Sequence, residues 1–214
     1  MQATPGPQQA LVKAYLALRR GIGIIGITLP LVLVAGRMIL ESLGIMDSIS
    51  AYYYSVMRDV FVGSLCAIAV FLFAYRYELQ DDIVSSLAGI FAIGVVFFPT
   101  TPDVGATPQQ VMIGQFHLFF ATAFFLALAF IVIVLFRKKN PNEQPTPQKR
   151  QRNIVYLCSG IALVACILLI LAIHFLPGNL WPQSLHPVFW LETLAIMAFG
   201  IAWFVKGETI LQDK

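Results

Sequence analysis

Charged side chains are scarce in this sequence: Asp, Glu, Lys and Arg make up 12% of its 214 residues, against roughly 25% in an ordinary soluble domain. Too few polar groups remain to face water around a soluble globule of this size. Lysine is missing from the middle of every long apolar run, which leaves a retinal-type Schiff base without an anchor. Cysteine is limited to Cys66, Cys158 and Cys166, all inside apolar stretches and without metal-type spacing, so they read as small packing residues. There is no GxSxG, no HExxH and no phosphate loop. The beginning lacks an apolar core followed by a small-residue cleavage site, so the first span is expected to serve as an uncleaved insertion signal. A net charge of +3 is too small to argue for nucleic acid.

What is present is apolar surface, with 58% hydrophobic residues and a mean hydropathy of +0.79. Six runs are long enough for helices of roughly 20 residues across a hydrocarbon core. They lie at Gly21–Leu43, Ser55–Tyr75, Ile83–Pro99, Val111–Phe136, Ile154–Leu176 and Leu185–Val205. Helices are required because unpaired backbone amides are not tolerated in lipid. The expected fold is therefore all-α, a polytopic membrane bundle of six transmembrane helices over residues 21–206. A segment of residues 1–20 precedes it, a basic loop at 137–153 interrupts it, and a tail of 207–214 follows.

Orientation follows from Lys and Arg in the connections. Lys13, Arg19, Arg20, Arg76, the cluster from Arg137 to Arg152, Lys206 and Lys214 all fall on one side if there are six spans. The opposite connections, Gly44–Tyr54, Thr100–Gln110 and Pro177–Ser184, contain neither Lys nor Arg. Both termini are thus expected in the cytoplasm. Trp181, Trp190, Trp203, Tyr52 to Tyr54 and Tyr75 fall near span ends, as interfacial aromatics would. GIGIIG at Gly21–Gly26 has the form of a dinucleotide fingerprint. It opens an apolar run instead of following a strand, so close approach of a second helix is the better reading.

The few ionisable residues on the outer side share a depth. Arg37 lies near the outer end of the first span, Arg58 and Asp59 near that of the second, and His117 in the fourth. His174 closes the fifth, while His186 and Glu192 open the sixth. Charges at such depth normally face the bundle interior and pair. We therefore expect a cluster of Arg37, Asp59, His117 and Glu192, rimmed by Ser55, Arg58, His174 and His186.

Three readings fit that cluster. It could be a pocket for a small molecule or lipid headgroup in a receptor, sensor or carrier, with Arg37, Ser55, Arg58 and His117 as binding residues. It could be a zinc-dependent lipid hydrolase, with His117, His174 and His186 as ligands and Asp59 or Glu192 as general base. It could also be a set of helix fasteners in a structural or assembly subunit. Membrane lipids are the expected partners, and the sequence fixes neither a cofactor nor an oligomeric state.

At Ser50-Ala-Tyr-Tyr-Tyr54 and Arg58-Asp59-Val-Phe-Val-Gly63 the chain resembles small uncharacterised bacterial multi-pass membrane proteins. More distantly it resembles the CREST superfamily of alkaline ceramidases and progestin/adipoQ receptors. That resemblance implies a bacterial inner membrane location and aligns Ser50 and Asp59 with the family's serine and aspartate. Tyr54 stands where the family has a zinc-binding histidine, and His186 with Glu192 stand in place of its late HxxxH pair. The six-span plan is also similar to the DRAM/Sfk group, which implies no catalysis.

Overall fold

A computed structural model describes residues 6–138, 144, 146–176 and 182–207. Among these residues there are six α-helices: α1 Pro7–Leu40, α2 Arg58–Ala74, α3 Leu79–Phe97, α4 Pro108–Phe130, α5 Pro147–Phe175 and α6 Pro187–Lys206. A π-helical turn, Ile131–Leu135, prolongs α4, and 3₁₀ turns occur at Ser50–Tyr54 and Gln183–Leu185. Among the described residues there is no strand.

Proline opens α1, α4, α5 and α6. At that position its φ suits the helix, and the missing N–H is one that would have no intrahelical partner. Thr107 and Gln110 close a reciprocal cap on α4, and Thr146 accepts from the Lys149 amide at 3.1 Å. These starts lie outside the apolar runs. Residues 7–20, expected as a separate segment, are the first turns of α1. Lys149, Arg150 and Arg152, expected in the loop, lie on α5. The remainder of the basic loop at 139–143 and 145, Trp181, and the tail beyond Gly207 lie outside the described residues.

Among the described residues, five helical stretches are long and apolar enough to cross a membrane: Gln8–Leu40, Leu79–Phe97, Pro108–Leu135, Pro147–Phe175 and Pro187–Lys206. Helix α2, with 17 residues, is shorter. It nevertheless runs antiparallel along α1, with Met57 against Gly36 at one end and Tyr75 stacked on Tyr15 at the other, centroids 6.0 Å apart. Each helix packs on the next, and α6 returns to α1, so the six form a closed ring.

The contact that closes the ring explains GIGIIG. A Cβ added at Gly200 would lie 2.7 Å from the Ile27 nitrogen and 2.9 Å from the Gly23 oxygen. At Gly23 it would lie 2.7 Å from the Phe204 nitrogen. Absent side chains let two backbones touch, as in membrane helix pairs. Inside the ring Trp203, fully buried, meets Tyr75 and Phe136 edge-on, each at 5.1 Å. Trp203, Tyr52 and Tyr75, expected as interfacial aromatics, are thus core residues, because their side chains pack between the helices. Outside, Ile154, Ile161 and Leu168, one heptad apart on α5, are 62, 57 and 62% exposed, which gives that helix a lipid-compatible face.

Replacing Gly200 with Leu is expected to part α1 from α6 and cost about 2 kcal/mol or more. Gly63→Leu, at a site with nothing within 4 Å, should change little. Melting temperatures of the two variants, followed by tryptophan fluorescence, check the contrast.

An interhelical cavity beside Glu192

The α1–α2 connection is tied at both ends by one ion pair. Arg37 Nε donates to Glu41 Oε2 at 2.9 Å, and its Nη1 donates to the Gly44 carbonyl at 2.7 Å. Glu41 Oε1 accepts from the Val56 amide at 2.8 Å. Between these ties the chain turns into the bundle, burying Ser50, Ala51 and Tyr52.

Backbone amides carried inward need acceptors, since neither water nor lipid supplies them there. Glu192 on α6 provides them. Its Oε2 accepts from the Ile49 and Ser50 amides at 2.6 and 3.3 Å, and its Oε1 accepts from the Ser50 hydroxyl at 3.4 Å. The carboxyl is buried, and among the described residues no Lys, Arg or His lies within ion-pair distance of it. A second seam lies alongside. The Phe189 amide donates to the Asp47 carbonyl at 3.0 Å, and His186 Nδ1 meets Asp47 Oδ1 at 2.5 Å.

Next to Glu192 is a cavity of about 520 Å³, whose polar wall includes Ser50, Thr101, Gln115, His117, His174 and Glu192. His117 Nδ1 donates to the Phe98 carbonyl at 2.8 Å. That bond orients the ring and leaves the lone pair of the neutral form on Nε2. Among the described lining residues are one carboxylate, two imidazoles and neither Lys nor Arg. The cavity adjoins two apolar spaces. A narrow slot lined by Phe61, Leu65, Phe124 and Phe199 reaches it at Ser50, Phe125 and Glu192. A groove between α4 and α5 shares Gln115, Thr122, Leu171 and His174 with it.

Of the residues expected to cluster, the structure brings Glu192, His117 and His174 to this cavity. The others are placed elsewhere. Arg37 is engaged by Glu41 and Gly44 and does not line it. Arg58 lies over the Tyr53 ring at 4.5 Å and donates to its hydroxyl at 2.9 Å. Asp59 is exposed in the first turn of α2, where a negative charge complements the helix dipole. Ser55 closes a local turn, donating to the Tyr52 carbonyl and accepting from the Met57 amide. His186 is held by Asp47, so the three histidines do not assemble. Among the described residues no group of three His, Cys, Asp or Glu is placed to hold a metal ion.

Sequence reasoning missed Glu41, Asp47, Ser48 and the threonines of the Thr100 connection. Glu41 stands four residues after Arg37, a spacing that signals a pair on one helix face.

Truncating Glu192 to Ala strands two buried amides and is expected to destabilise by about 3 kcal/mol. Glu192→Gln, which keeps a carbonyl acceptor, should lose less, and thermal unfolding in detergent ranks the two. The Glu41 carboxyl is held below its ordinary 4.5, first by the Val56 amide and then by Arg37. Such a group stabilises the fold fully above its unfolded pKa and progressively less as pH falls through the folded one. The melting-temperature advantage of wild type over Glu41→Gln should stay constant from neutral pH to about 5 and shrink below about 4.5. Compared with known proteins, the chain matches no family model, no curated protein and no solved structure.

Proposed function

We propose that this is an integral membrane protein whose Glu192 cavity, open to the non-cytoplasmic side, binds a lipid headgroup or small polar molecule. In this reading it acts as a receptor, sensor or carrier. All six helices cross the bilayer, α2 included, because its two ends lie level with residues 15 and 36 of α1. Both termini are then cytoplasmic, since the cavity's end of the bundle has connections free of Lys and Arg.

The observation that carries the reading is a buried carboxyl, without a cationic partner among the described residues, on the wall of a cavity of about 520 Å³. Sites of this size with a few convergent polar groups are the usual form of a ligand pocket. Ionisable groups inside a membrane bundle mark functional sites by default. The wall selects the ligand's chemistry. A carboxyl, two imidazoles and several hydroxyls, with no Lys or Arg among the described lining residues, suit a donor-rich or cationic head such as an amine. Arg37, expected to take an anionic group, is occupied by Glu41 and Gly44. The apolar slot and the α4–α5 groove give an attached acyl chain somewhere to lie.

Photoactivatable, clickable phosphatidylethanolamine and phosphatidylglycerol, each in nanodiscs with the protein, test this reading. The amine lipid is expected to label peptides around Thr122 and His174 several-fold more than the glycerol lipid, and Glu192→Gln to erase the preference. Equal labelling by both lipids, or labelling spread evenly over the helices, would contradict it.

A further inference from the structure

The opposite pole holds a second cavity, of about 530 Å³, with the reverse electrostatic character. One face of α5 enters it through Lys149, Arg152, Asn153 and Tyr156, at successive spacings of three, one and three residues. Arg19 of α1 and Lys206 of α6 approach from the other side, and Glu78, Asp81 and Lys138 complete the polar wall. Five cations therefore face two carboxylates, and both carboxylates are already engaged. Lys138 Nζ lies 2.8 Å from Glu78 Oε2 and 2.6 Å from Asp81 Oδ2.

Three of these cations, Arg19, Lys149 and Lys206, are poorly compensated among the described residues. Arg19 is 8% exposed; its guanidinium lies over the Tyr15 ring at 4.4 Å, and Nη1 reaches the Lys206 carbonyl at 3.4 Å. Its Nε is buried and meets no acceptor among the described residues. Lys206 Nζ sits over the Phe136 ring at 5.0 Å. Among the described residues no carboxylate lies within ion-pair distance of Arg19, Lys149 or Lys206. A buried cation in the state of Arg19 is costly unless an anion completes it. Basic pockets between membrane helices are suited to phosphate-bearing headgroups.

We propose that this cavity binds a phosphate group, carried by an anionic phospholipid or free in solution. Arg19 forms the deep donor, with Lys149, Arg152 and Lys206 around the mouth. The site lies at the other end of the bundle from Glu192 and does not depend on the reading of that cavity.

The test uses the full chain in maltoside micelles at matched ionic strength, with phosphatidylglycerol or inorganic phosphate added separately. A ligand well above its dissociation constant should raise the wild-type melting temperature by about 5 °C. Lys149→Gln is expected to lose most of that rise, while Lys13→Gln, a charge outside the cavity, keeps it. Lys149 lies at the wall, so its loss leaves the Arg19 packing in place. A rise with the lipid alone assigns a headgroup, a rise with phosphate alone assigns the free ion, and a rise with both assigns a phosphate site open to either source. No rise with either, or an equal rise in Lys149→Gln and wild type, overturns the proposal.

Discussion

A carboxyl buried in an apolar bundle is costly alone, and so is a loop whose amides point inward; at Glu192 each offsets the other. Two backbone donors and one hydroxyl from residues 49 and 50 converge on one side chain of α6. That convergence decides where the α1–α2 connection lies. With the connection tucked in, Tyr52 becomes core, Ser48 and Ser50 become cavity wall, and Asp47 comes within reach of His186. The Asp47 seam, the Glu41 ties and the Tyr54 hydroxyl, which donates to the Thr100 carbonyl at 2.7 Å, hold the connection on either side of it.

The ring of helices distributes its polar groups by sign. At the Glu192 end, acidic and neutral groups line the space, and the single arginine of α1 there is spent on Glu41. At the other end, cations exceed carboxylates around the Arg19 cavity. Between them the ring is sealed by large apolar side chains such as Phe199, Leu72 and Leu33 and by the glycine contact of α1 with α6. Some of the Lys and Arg residues from which the sequence reading takes orientation, Arg19, Lys149, Arg152 and Lys206 among them, also furnish the basic pocket.

Much of the architecture was legible because it rests on local rules. Apolar runs located all six helices, and the small residues of GIGIIG foretold a close helix neighbour, here Gly200 and Phe204. Helix starts were less legible, since Pro7 and Pro147 initiate helices through φ and capping, to which hydropathy is blind. The site was read in part. Glu192, His117 and His174 could be placed by depth along their helices, and they do share a cavity. Depth gives no azimuth, however, so Asp59, at nearly the same level, points outward instead. Arg37 pairs with Glu41 four residues away on its own helix face, and not with a partner from another helix. The inward turn of Ser50–Tyr54 depends on an acceptor 142 residues distant from Ser50, a contact that no local pattern encodes.

Amide hydrogen exchange of residues 48–52 tests the central claim most directly, read by mass spectrometry in wild type and Glu192→Ala at one pH. Slow exchange there in the wild type, released by the substitution while α3 and α4 stay protected, is the result this account predicts. Fast exchange in both proteins, or equal protection in both, would contradict it.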